Sequence, residues 1–174
     1  MPDGPEDLPL SDRCLVFGAG PPLIPAPYNK NVQIVQTAGY VMVLTEMIHD
    51  ARLIPLDGRP HAPAQIRQWL GDGRGRWQGD VLVVETTNVT DKTRFAGSGD
   101  RLRVSERFSL ADAATLRYEF TIDDPASYTQ PWSGALLMTR TGNRIYEYAC
   151  HEANYSMVGT LRGARAADAK PAAR

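Results

Sequence analysis

Leu102-Arg103-Val104-Ser105-Glu106-Arg107-Phe108 and Leu116-Arg117-Tyr118-Glu119-Phe120-Thr121-Ile122-Asp123 alternate in character residue by residue. In the first stretch Leu102, Val104, Glu106 and Phe108 share one face, and Arg103, Ser105 and Arg107 share the other. In the second, Leu116, Tyr118, Phe120 and Ile122 oppose Arg117, Glu119, Thr121 and Asp123. A period of two is the mark of a half-buried antiparallel strand. The pair is expected to be adjacent, with Leu102, Val104, Phe108, Leu116, Tyr118 and Phe120 turned to one interior and Arg103 and Arg107 kept out of it.

Strand signals continue on both sides. Residues 81–87, Val-Leu-Val-Val-Glu-Thr-Thr, follow the turn pair Gly79-Asp80. Upstream, residues 32–36 and 40–47 flank Ala38-Gly39 and predict a hairpin. Residues 52–56 form a third short run, closed by Asp57-Gly58. Downstream, residues 134–140 and 144–150 flank Thr141-Gly142-Asn143 and predict a final hairpin. The one convincing helical stretch is 63–70, with Pro63 at a first helical position and Gly71 as a stop.

These elements predict an all-β, mainly antiparallel fold of eight or nine strands with one short helix. Its shape is expected to be a small barrel or a strongly curved sheet, because closing a meander removes exposed edges. Residues 1–30 read as an extended, Pro-rich N-terminal arm, with four prolines between positions 18 and 27 that exclude a helix or central strand. Residues 31–161 form the domain, and 162–174 a flexible tail without a defined apolar face.

Composition narrows the function. The chain has 174 residues, 43% hydrophobic and 22% charged, which is the balance of one globular domain. Nineteen basic residues against twenty acidic ones argue against a nucleic-acid partner, which needs a clustered basic excess. No apolar run approaches the ~18 residues of a membrane span. The N-terminus, Met1-Pro2-Asp3-Gly4-Pro5-Glu6-Asp7, is the opposite of a secretory signal. The compartment is therefore cytoplasmic or, with an export signal outside this sequence, periplasmic or secreted. Cys14 and Cys150 are compatible with one bridge tying the ends together and equally with two buried thiols.

Several strings together carry a resemblance. They are Asp50-Ala51-Arg52-Leu53-Ile54-Pro55-Leu56-Asp57-Gly58-Arg59-Pro60-His61, then Trp69-Leu70-Gly71-Asp72-Gly73-Arg74-Gly75-Arg76-Trp77-Gln78-Gly79-Asp80, Thr86-Thr87-Asn88, Asp91-Lys92-Thr93, Ile122-Asp123-Asp124-Pro125, and Tyr146-Glu147-Tyr148-Ala149-Cys150-His151-Glu152. Across about residues 13–165 the chain resembles a large group of uncharacterised bacterial proteins, many of them longer at the N-terminus and exported. That resemblance implies no catalytic residue. Gly75-Arg76-Trp77 ahead of a strand meander also looks like lipocalin-like barrels, which implies a fold and not a function.

Titratable groups at strand ends are the candidates for chemistry. His49 ends an apolar strand, with Glu46 and Asp50 beside it as orienting groups. His151 ends the last expected strand, near Glu152, Asn154 and Tyr155. His61, between prolines, reads as a loop residue. Glu106 lies on the apolar face of its strand, which requires either an inward Arg partner or a polar patch lining a cavity. The histidines lack the local spacing of a metal site, so no metal is expected. There is no Gly-x-Ser-x-Gly elbow and no Walker loop, and the prolines after Gly18-Ala19-Gly20 spoil a dinucleotide fingerprint. No cofactor is expected. Asp123-Asp124-Pro125 reads as a turn, and Trp69, Trp77 and Trp132 as packing residues.

The leading expectation is a cofactor-free acid/base enzyme of lyase, isomerase or cyclase type, acting on a small organic molecule. His49, His151, Glu46, Asp50, Glu106 and Tyr155 are its catalytic candidates. The alternatives are a non-catalytic, lipocalin-like carrier of an apolar small ligand and an envelope-associated interaction domain. A homodimer stays open.

Overall fold

The computed structural model describes residues 2–17, 20–25, 27–92, 95–152 and 154–169. Strands β1 (Val32–Gln36), β2 (Tyr40–Thr45) and β3 (Ala51–Pro55) form one antiparallel sheet in that order. Strands β4 (Asp72–Gln78), β5 (Val81–Thr87), β6 (Arg103–Asp112), β7 (Thr115–Asp123) and β8 (Trp132–Thr139) form a second antiparallel meander. One α-helix among the described residues, α1 (Tyr155–Asp168), follows.

The period-two reading of the two long strands is borne out. Phe108 pairs with Tyr118, Glu106 with Phe120, and Val104 with Ile122. Leu102, Val104, Phe108, Tyr118 and Phe120 are buried, Leu116 is partly buried against them, and Arg103 and Arg107 are exposed. Val41, Val43 and Ile54 from the first sheet complete one core with Leu82, Val84 and the β6–β7 set. The first hairpin forms where its Gly-containing break predicts it, with Val32 opposite Thr45 and Gln36 opposite Val41.

A closed barrel does not form. The sheets have three and five strands, and no ladder joins β3 to β4. They meet by packing instead. Residues 73, 75 and 77 share one face of β4, and a Cβ on Gly75 would stand 2.7 Å from Leu56 Cδ2 and 2.9 Å from Ile54 Cγ2. The missing side chain lets β3 and the residue after it lie against β4, a recurrent use of glycine within a strand.

Four local expectations fail. Residues 63–70 form turns rather than a helix. An eight-residue helix is costly to nucleate, and this backbone is claimed by tertiary partners. Gln68 N donates to Asn88 O (2.9 Å), Thr90 N donates to Gln68 O (3.0 Å), and Asn88 Nδ2 donates to Ala62 O (2.9 Å). Residues 144–150 do not pair as a ninth strand. Two of their backbone donors go to side chains: Tyr146 N to Glu46 Oε1 (3.2 Å) and Tyr148 N to His49 Nε2 (3.0 Å).

Residues 162–168, expected as tail, belong to α1. Asn154 caps it by accepting from Met157 N, and Leu161 and Ala164, three residues apart on one face, are buried. The N-terminal segment also departs from a free arm, because Pro21, Pro22 and Leu23 are buried. Cys14 and Cys150 are bridged, with Cα atoms 5.8 Å apart, so the ends are tied together. Gly18 and Ala19 of the expected arm, Thr93 of the quoted strings, and positions 170–174 of the expected tail lie outside the described residues.

Candidate functional site

Period two on β3 turns Arg52 inward beside Ile54, and Arg52 sits opposite the buried Val43 of β2. Its guanidinium crosses from the three-stranded sheet to the five-stranded one. Nη1 donates to Glu106 Oε2 (2.7 Å) and Nη2 to Glu106 Oε1 (2.8 Å), a two-pronged pair. The Tyr118 hydroxyl donates to Glu106 Oε1 (2.8 Å) and accepts from Leu23 N (2.8 Å). Burial opposes the Arg52 charge, but the charge and hydrogen bonds of Glu106 outweigh it and hold the guanidinium above its ordinary value. Burial, reinforced by the Glu106 charge, raises the Tyr118 phenol, which keeps its proton. The inward carboxylate of the sequence thus has its Arg partner, and four chain segments meet at one polar island in an apolar core.

Arg52 also borders a cleft. Arg52 Nε and Thr86 Oγ1 are buried without a hydrogen-bond partner among the described residues, and both residues line this one cleft of about 510 Å³. Ala51 to Ile54 of β3 form one wall of it, and Arg67 to Gly71 form the roof. Gly73 and Thr86, paired across β4 and β5, belong to the floor. A Cβ on Gly73 would make ordinary contact with Thr86 Oγ1 (3.4 Å) and with Ile54 and Val84 (3.7 Å each). Gly71 holds φ +69°, and a Cβ there would come 2.6 Å from Thr86 Cγ2, so the roof can turn so close to β5 only at glycine.

The roof is anchored on both sides. Asp72 Oδ2 accepts from Ala62 N (2.7 Å) and meets His61 Nδ1 at 3.2 Å, while its Oδ1 accepts from Arg74. Arg67 donates to Val89 O (3.3 Å) and to the Asp100 carbonyl. His61 is therefore engaged at the edge of the roof.

No family model, curated protein or solved structure matches this chain. What the site does must be read from its own atoms.

The other residues singled out in the sequence gather elsewhere. β2 ends at Thr45, and residues 46–50 turn sharply, with Ile48 at φ 59° and His49 at φ 52°. A left-handed β-branched residue is strained. Thr45 holds the turn by donating its N–H to Asp50 O (2.9 Å) and its hydroxyl to Met47 O (3.2 Å). Glu46 is buried, and its Oε2 accepts from Asn31 Nδ2 (2.8 Å). The Tyr146 N–H is the main influence holding its carboxyl below the usual range, and Asn31 adds to it against burial. Asp50 Oδ2 accepts from Phe17 N (2.8 Å).

His49 is exposed, and so is His151, one residue beyond the bridged Cys150. The two histidines thus share the end of the molecule where residues 146–151 pass. A second cleft of about 510 Å³ opens there, lined by Phe17, Tyr28, Ile48, Tyr148 and Cys150 among others, and neither histidine lines it. Tyr155 is 81% exposed on α1, and Glu106 belongs to the separate island in the core. Among the described residues no three His, Cys, Asp or Glu side chains cluster as metal ligands.

Asp124 forms the expected turn, accepting from Gly99 N, Ala126 N and Ser127 Oγ. Of the three tryptophans Trp132 packs among Phe95, Phe120 and Tyr128, whereas Trp69 lines the first cleft. Arg52 and Thr86 escaped the sequence reading. The hairpin register carried the signal for Arg52, since a residue opposite Val43 shares its inward face.

Proposed function

We propose that this chain is a small-molecule-binding domain, that its site is the cleft between β3 and the 67–71 roof, and that it holds its ligand without transforming it. The observation that carries this reading is that, of three buried side-chain atoms without a partner among the described residues, two, Arg52 Nε and Thr86 Oγ1, belong to residues lining one cleft, the third being Ser98 Oγ. Buried polar atoms in folded proteins nearly always have partners, and an exception calls for an explanation. A mostly apolar cleft with a few converging polar groups is the usual form of a ligand site, and this one is of typical volume.

The acid/base reading has weaker support. It needs titratable groups converging on a pocket, but Glu106 is committed to Arg52 and Tyr118, and His49 Nε2 already accepts a backbone N–H. The Cys14–Cys150 bridge suits an oxidising compartment, and we place the ligand encounter there.

The test is fragment screening by ligand-observed NMR on the wild type and on Gly73→Ala. The added methyl makes ordinary contact with Thr86 Oγ1 and should leave the fold intact while narrowing the cleft floor. Fragments that bind the wild type should lose affinity for the variant. Hits that bind both alike would overturn this site.

A further inference from the structure

We infer that the inner end of the cleft is shaped for the carbonyl group of a neutral small molecule, an amide or lactam above all, whose flat apolar body lies against Trp69. This rests on the reading of the cleft as a binding site and goes further by assigning the ligand's chemistry.

The first step is a count of donors. A guanidinium has five N–H groups in a fixed fork. Arg52 spends one N–H of Nη1 and one of Nη2 on Glu106, and of its three nitrogens only Nε has no partner at all among the described residues. Thr86 brings a hydroxyl, which can donate or accept, and it too is unpartnered. An amide matches both atoms: its carbonyl oxygen accepts from Nε–H, and its N–H donates to the hydroxyl.

The second step is charge. Arg52 and Glu106 neutralise each other inside the core, with relative side-chain exposures of 5% and 0%. The Tyr118 hydroxyl and Thr86 are neutral donors or acceptors. A ligand carboxylate would be a second anion on a guanidinium that already has one, and its desolvation would not be repaid. A ligand ammonium would meet Nε–H head-on. Arg67 does not change the balance, because it is committed to the Val89 and Asp100 carbonyls and to the Asp100 carboxylate.

The third step is shape. Gly73 leaves room for no more than a methyl beside the buried Thr86 hydroxyl, and the rest of the lining is largely apolar, with the buried Ile54, Leu70, the 63% exposed Leu53 and the 40% exposed Trp69. An exposed indole beside a cleft is a natural platform for a flat ring.

The test compares three molecules of one shape: phenylacetamide, phenylacetate and phenethylamine. Each is titrated into the full chain at neutral pH and followed by amide and indole NMR shifts at Trp69, Gly71, Gly73 and Thr86. Phenylacetamide should bind most tightly. Thr86→Val should weaken it by roughly fivefold to tenfold, the worth of one hydrogen bond. The same substitution should not lower the melting temperature, because the hydroxyl has no partner within the protein. Tighter binding of phenylacetate, or an amide affinity indifferent to Thr86→Val, would overturn the neutral-carbonyl inference and leave the cleft a binding site. No shift in cleft resonances with any of the three would overturn both readings.

Discussion

Glu106→Gln is the sharpest perturbation of this interior. It keeps the shape of the side chain and removes the charge that balances Arg52. Both groups are buried, with oxygen and nitrogen atoms 2.7 Å and 2.8 Å apart, so the guanidinium would be left charged in the core. Breaking a buried pair from one side costs about 3–5 kcal/mol. At roughly 2–4 °C per kcal/mol for a chain of this size, the melting temperature should fall by about 6–20 °C. The double variant Arg52→Met/Glu106→Leu tests the cause. It removes both charges, and apolar replacement of a buried pair is often neutral or stabilising. Its remaining penalty is the Tyr118 hydroxyl, which loses its acceptor at about 1–3 kcal/mol while still accepting from Leu23 N. The double variant should therefore be more stable than Glu106→Gln alone. Urea unfolding of Arg52→Met, Glu106→Leu and their double closes the cycle. A cost below about 1 kcal/mol for Glu106→Gln, or single effects that add within about 0.5 kcal/mol, would refute the account. The same double variant should lose cleft binding, since it removes the Nε–H.

Gly75→Ala should destabilise by about 1–3 kcal/mol through overpacking against Ile54 and Leu56, whereas Gly73→Ala should stay within about 1 kcal/mol of the wild type; equal denaturation midpoints would contradict the glycine argument. Cys14→Ser/Cys150→Ser frees a loop of sequence separation 136 and should cost up to about 5 kcal/mol, which an unchanged melting curve would disprove. Glu46 has its pKa held low in the folded protein, so its contribution is complete above the ordinary carboxylate value and fades as pH falls through the lowered one. Hydrogen-exchange protection at the Tyr146 amide should fall on acidification in the wild type and be low at every pH in Glu46→Ala; an amide equally protected in both would sever that link.

Where residue alternation and burial coincide, the sequence was legible. On β6 and β7 every second residue is apolar or buried, and a slip by one would carry Arg103 and Arg107 into the core, so the register had one solution. The same alternation marked Glu106 as an inward carboxylate. Its partner was harder to see, because Arg52 lies 54 positions away and on the other sheet. The 63–70 stretch misled because its apolar spacing is short and its Pro and Gly bounds fit a helix and a turn equally well. What decides there is Asn88, whose side chain holds Ala62 and Pro63 and whose carbonyl holds Gln68. The 144–150 run has a strand's composition, yet Glu46 and His49 take two of its donors before β8 can pair with it.

The glycines of β4 join these threads. Gly73 and Gly75 within β4, and Gly71 just before it, are three nearby positions without a side chain, which weakens a strand unless something else comes close. At Gly75 what comes close is Ile54 with Leu56, and this contact seats the three-stranded sheet on the five-stranded one. At Gly71 it is Thr86 and Val89, which set the roof. At Gly73 a methyl would fit, in ordinary contact with Ile54, Val84 and the unpartnered Thr86 hydroxyl. Two of the three glycines are thus explained by packing. The third, Gly73, has room for a methyl that packing does not use, and the proposed site gives that room a role beside the buried Thr86. That asymmetry ties the proposed site to the fold itself, and Gly73→Ala separates the two: stability kept or improved, with the cleft floor closed.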